Sequence, residues 1–155
     1  MKRIILSILL SLGVAFTSSA RVEVSDEDFE LAMSYQQMGS EAIDQNDFSK
    51  AYGYFLKAVE TNPNPGATSF SMLAIADMSF YGFGTKKDPV RSGAIWFALG
   101  TKLLKQREEY PNWIDPMGEK AIKTWNKNVN SFSKTEEKLA KEFGLKLLKA
   151  NFIGI

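Results

Sequence analysis

Apolar and small residues in this chain recur every three or four positions, and no window shows the strict alternation of a half-buried strand. After residue 25, the stretch DEDFELAMSYQQMGSEAIDQ sets Leu31, Tyr35, Met38, Gly39 and Ala42 on one helical face. Ser25 stands where it can cap that helix, and Asp26, Glu27 and Asp28 complement the positive end of its dipole. A short NDF turn leads to a second helix over 48–60, with Phe48, Ala51, Phe55 and Ala58 facing inward. Pro63 and Pro65 end it, because proline removes a backbone donor and biases the preceding residue away from the helix.

The pattern predicts a third helix over 69–81, carried by Leu73, Ala76 and Phe80. The segment FYGFGTKKDP follows. Asp88 then caps a fourth helix that begins at Pro89 and presents Ala94, Trp96, Phe97, Leu99 and Leu103. The charged KQREEY and the proline-bearing PNWIDP read as the least regular stretch. A fifth helix carries Ala121, Ile122, Trp125 and Val129. In the sixth, Ser133 and Glu136 form a capping box ahead of Leu139, Ala140, Phe143 and Leu147. The expected fold class is all-α, built of antiparallel helix hairpins.

The N-terminus changes the picture of where this domain works. Lys2 and Arg3, an apolar run over 4–16 and small residues ending at Ala20 have the form of a secretory signal peptide over 1–20. The apolar run is short for a membrane span, and no cysteine offers a site for a lipid anchor. The mature chain is expected to begin near Arg21, as one helical domain over 21–155 in the periplasm or outside the cell. Without Lys2 and Arg3 it carries 17 basic against 18 acidic groups, a balance that gives no electrostatic footprint for nucleic acid or anionic membrane.

Two absences narrow the chemistry. With no cysteine, an exported chain has no disulfide and is held by packing alone. With no histidine, the Ser-His-Asp and Cys-His arrangements and nearly every zinc site are excluded. No cofactor is expected. Carboxylate catalysis on a glycan remains as an alternative, with Asp77, Asp88, Glu108 and Glu109 as its groups, although nothing in the sequence brings two of them to one substrate.

Gly39, Ala51, Phe55, Ala58 and Pro63 fall at the separations of a tetratricopeptide-type repeat, where small residues let two helices approach and Phe55 fills the space behind. The stretch LAIADMSFYGFGTKKDPVRSGAIWFALG resembles the Sel1-like repeat through Ala76, Gly82, Gly84, Asp88, Trp96 and Phe97. It departs from that pattern at Ser79 and Thr85, and Asp88 to Trp96 is one residue longer than usual. Together the likeness covers most of 26–150. The resemblance implies a short α-solenoid that binds other proteins, is often exported and is seldom catalytic, with the helix from Lys134 as its terminal cap.

The glycine segment reads as a structural corner. A Walker-type phosphate loop follows a strand and needs GxxxxGK[ST], whereas here a helix precedes two glycines one residue apart. Positive φ at the turn accounts for the glycines, and Lys86 and Lys87 read as solvated loop charges.

Two surfaces are candidates for a protein or peptide partner. If Tyr35, Met38, Gly39 and Ala42 pack inward, the first helix offers Phe29, Met33, Gln36, Ser40 and Asp44 to a concave groove. The third helix adds Leu73, Asp77 and Tyr81. Equally, Phe29 and Met33 can pack beneath the mature N-terminus. The second surface is the loop with Tyr110 and Trp113, residue types typical of interface anchors. Trp113 can instead fold back onto the fourth and fifth helices as a plug. The leading functional expectation is an exported, non-enzymatic interaction module: an immunity protein against a toxin that acts in the periplasm, or an envelope adaptor. A cell-wall-acting carboxylate enzyme is the alternative.

Overall fold

Each α-helix among the described residues starts on a side-chain oxygen. Ser25, Asp47, Asn64, Asp88, Asp115 and Ser133 each accept a backbone N–H from the first turn they precede. These caps satisfy donors that a helix cannot pair internally. A computed structural model describes residues 24–152 and 154–155. The expected signal peptide over 1–20 and the expected cut before Arg21 lie outside the described residues.

The elements are α1 (Asp26–Asp44), α2 (Phe48–Thr61), α3 (Pro65–Tyr81), α4 (Pro89–Glu109), α5 (Pro116–Asn128) and α6 (Lys134–Lys149). A single 3₁₀ turn at Val129–Ser131 joins the last two. No strand occurs among the described residues, and the fold is all-α. Ser133 and Glu136 form the expected capping box.

Three sequence expectations need correction. First, α3 begins at Pro65, four residues ahead of 69. Pro65 does close off α2, but it also occupies the first turn of α3, where its missing N–H costs nothing. Second, KQREE is helical to Glu109. Its residue types are good helix formers, and the Arg107 guanidinium pairs with Glu119 of α5.

Third, the inward stripe of α1 is smaller than its large apolar residues suggest. Ala32, Gly39 and Ala42 are buried and Tyr35 is half-buried, whereas Leu31 and Met38 are exposed. Close approach of α2 explains this. A Cβ built on Gly39 would stand 2.6 Å from the Phe55 ring, so the aromatic fills the volume that a side chain would need.

The core centres on α3, which packs against α1, α2, α4 and α5. Ser71, Met72, Leu73, Ile75, Ala76, Met78 and Ser79 are all buried along it. Such a helix is buried nearly all round and not amphipathic. On its far side α4 carries Trp96, which is fully buried, and lies against α5 and α6. Gly144 lets α6 come down on α4, because a Cβ there would sit 2.8 Å from the Phe97 ring. Beyond α6 the backbone turns through positive φ at Asn151 (48°) and Phe152 (65°). Phe152 is thereby buried in the core cluster that includes Val59 of α2, and Ile155 packs against that cluster.

Candidate binding surfaces

The glycine corner begins where Gly82, at φ 80°, ends α3 and donates its N–H to Met78 O at 2.8 Å. Gly84, at φ 67°, lies directly on the start of α2, where a Cβ would come within 2.6 Å of Ser49 N. Asp88 closes the loop. Its N–H donates to Ser79 O at 2.8 Å, and its carboxylate accepts the Arg91 N–H at 2.9 Å. Both glycines therefore have the left-handed geometry expected of a structural corner.

This corner also builds an aromatic ladder. Phe48 stacks on Phe83 at 5.2 Å, Phe83 on Tyr81 at 5.7 Å, and Tyr81 meets the edge of Phe80 at 5.1 Å. Tyr81 is 56% and Phe83 49% exposed, so two rings are held in order while facing water. Tyr81 is the expected surface residue. Phe83 was not anticipated; a large aromatic between two turn glycines, where packing does not require one, was the available signal.

Of the groove residues, Met33, Gln36 and Ser40 line one shallow depression of about 420 Å³ between α1 and the start of α3. Phe70, absent from the sequence candidates, forms its other wall. Gln36 is not free, because its amide oxygen accepts from the buried Ser71 hydroxyl at 3.0 Å. The Ser40 hydroxyl donates to Gln36 O at 3.2 Å. Asp44 is exposed at the end of α1 and does not line the depression. Phe29 is also exposed, and the residues just before Val24 that it was expected to pack beneath lie outside the described residues.

Leu73 is a correction. At 1% exposure it is a core residue on the buried flank of α3, and it offers no surface to a groove. Asp77 is half-buried and holds the fold together. Its carboxylate accepts the Trp96 indole N–H at 3.1 Å, and Lys120 of α5 stands 3.8 Å away. Burial pushes the Asp77 carboxyl above its ordinary value of 3.8, while Lys120 and the indole N–H pull the other way. The expectation that Asp77 stands apart from the hairpin packing does not hold.

The second surface is the loop between α4 and α5. Tyr110, Trp113 and Ile114 are 61%, 47% and 77% exposed, with the two rings 6.4 Å apart. The Arg107 guanidinium donates to Trp113 O at 3.2 Å, which fixes the loop backbone. The indole thus stands on the surface and does not plug the helices. Of the carboxylates weighed for glycan chemistry, Asp77 is engaged by the Trp96 indole and faces Lys120. Asp88 caps the start of α4 and Glu109 ends it, and a helix of 21 residues is about 30 Å long. Among the described residues, no group of three His, Cys, Asp or Glu side chains is placed to hold a metal ion.

Comparison with protein-family models, with curated proteins and with solved structures found no match to this chain.

Proposed function

We propose that this chain is an exported interaction module, a short Sel1-like α-solenoid closed by α6, that binds another protein in the periplasm. The observation that carries the reading is the ladder Phe48–Phe83–Tyr81. Burial of an aromatic ring is favourable, so rings fixed in an exposed stack are pre-organised for a partner that covers them. The exposed Tyr110–Trp113–Ile114 loop is a second anchor of the same residue types. Neutralisation of a toxin and adaptor work in the envelope both fit such a surface. A toxin gene beside the gene for this chain is the mark of the immunity role.

Periplasmic extract passed over the immobilised chain tests the reading. A stoichiometric partner should be retained by the unaltered chain and bind roughly thirtyfold more weakly to Tyr81→Ala, the loss expected of one anchor. Full affinity in Tyr81→Ala together with a loss in Trp113→Ala would move the contact to the loop. Unchanged affinity in both would reject the aromatic-anchor reading.

A further inference from the structure

We propose that the depression beneath the glycine corner binds the phosphate group of a small phosphate monoester. The site shares the glycine corner with the aromatic ladder, where the Lys87 ammonium stands 5.7 Å from the centre of the Phe80 ring, but it is lined by other side chains, drawn from four segments. Tyr52 of α2 and Ser79 of α3 form its floor, and Thr85, Lys86 and Lys87 of the corner and Arg91 of α4 form its rim, around a volume of about 390 Å³.

Charge is the first observation. Three cations and one carboxylate, Asp88, line the depression. Asp88 is already engaged, since it accepts the Arg91 backbone N–H at 2.9 Å. Among the described residues, none of Lys86, Lys87 and Arg91 takes part in an ion pair. The local excess of two positive charges matches a phosphate monoester near neutral pH, whose second ionisation lies near 6.

Donor geometry is the second. The Arg91 guanidinium carbon lies 5.9 Å from the centre of the Tyr52 ring, so the ring supports the planar fork, whose N–H groups suit phosphate oxygens. At the floor, the Tyr52 hydroxyl and the Ser79 hydroxyl are 3.3 Å apart, and both residues are buried. Two hydroxyls bring two O–H donors, and their mutual contact uses one. The second finds no protein acceptor among the hydrogen bonds of the described residues and is left for a ligand oxygen.

This is not the Walker arrangement. The Gly82 N–H is engaged at Met78 O, and the α4 N-terminus is capped by Asp88, so side chains rather than a backbone cradle supply the donors.

Amide chemical-shift titration of the purified chain tests the site, with inorganic phosphate and phosphoserine as probes and with succinate and sodium chloride at matched ionic strength as controls. Phosphate and phosphoserine should give saturable shifts centred on Ser79, Thr85 to Asp88 and Arg91. Arg91→Gln should weaken both by about tenfold or more, as expected for a charged donor. Tyr52→Phe keeps the ring and should weaken both by a smaller factor. Added salt should weaken binding, less steeply once Lys86 and Lys87 are replaced by alanine. The proposal fails if chloride reproduces the shifts, if Arg91→Gln binds as the unaltered chain does, or if succinate binds as tightly as phosphoserine. Each variant is checked for an otherwise unchanged amide spectrum, and Tyr52→Phe with Lys86→Ala serves if Arg91→Gln does not fold.

Discussion

Asp77 and Gly84 show how a single position on α3 or its corner serves the helix beside it. Asp77 accepts the buried indole N–H, but ionising a carboxyl in that setting is unfavourable, and its pKa is raised. The folded state therefore holds the Asp77 proton more tightly than the unfolded chain. This contribution to stability is present below the ordinary value of 3.8 and is lost as pH rises through the raised folded pKa. Asp77→Asn keeps an oxygen for the indole and has no charge to bury. Its melting temperature relative to the unaltered chain should be more favourable at about pH 7 than at about pH 3, as thermal melts across that range would register. At the corner, the two glycines differ in what surrounds them. A Cβ at Gly82 meets nothing closer than 3.6 Å, so Gly82→Ala carries only the backbone penalty, about 1 kcal/mol. At Gly84 it meets the backbone of α2, and Gly84→Ala should cost about 3 kcal/mol or more in urea unfolding. The need for positive φ was legible from the glycines themselves. That one of them lies against Phe48 and Ser49, more than thirty positions earlier, is a tertiary fact with no local signature.

At the scale of elements, caps were the most legible feature and boundaries the least. Ser25, Asp88 and the Ser133–Glu136 box act as their local spacing requires. The hydrogen bonds of that box hold the exposed Glu136 carboxyl below its ordinary 4.5, so its contribution is present above that value and lost as pH falls through the lowered pKa. The ends of α3 and α4 were misjudged because proline and charge were read as breakers, when Pro65 is a first-turn residue and KQREE a good helix former. Large apolar residues misled in the same way on α1, where close packing against Phe55 selects the small ones. The tail after α6 was not legible, since nothing in its local spacing marks a ring that returns to the core. Phe152 is buried at φ 65°, a conformation that costs a non-glycine residue about 1 kcal/mol and is held by the burial of the ring. Phe152→Ala keeps that backbone cost and loses the ring, so it should destabilise the chain by about 3 kcal/mol in urea unfolding.

For the whole molecule, all-helical architecture followed from periodicity, but the hub role of α3 did not. A low-contrast helix gives no stripe from which to read its neighbours. In a simple repeat array each unit touches only the next, and melting can proceed piece by piece. Here the contacts of α3 with α1, α2, α4 and α5 stay between adjacent hairpins, but the tail past α6 joins the C-terminal end to the cluster that contains α2 residues and so ties the last hairpin to the first. Unfolding in urea should therefore be a single transition, with α3 amides exchanging hydrogen only through global opening. Separate transitions for α1–α2 and α4–α6 would contradict this. The same layering places the three tryptophans at three depths: Trp96 sealed inside, Trp125 between Phe97 and Phe132, and Trp113 on the open loop. The chain thus carries its own fluorescent depth gauge. Dissolved iodide should quench Trp113 first and leave Trp96 bright until the core opens. A partner seated on the loop would shield that emission from iodide, whereas one seated on the ladder at Tyr81 would leave the quenching unaltered.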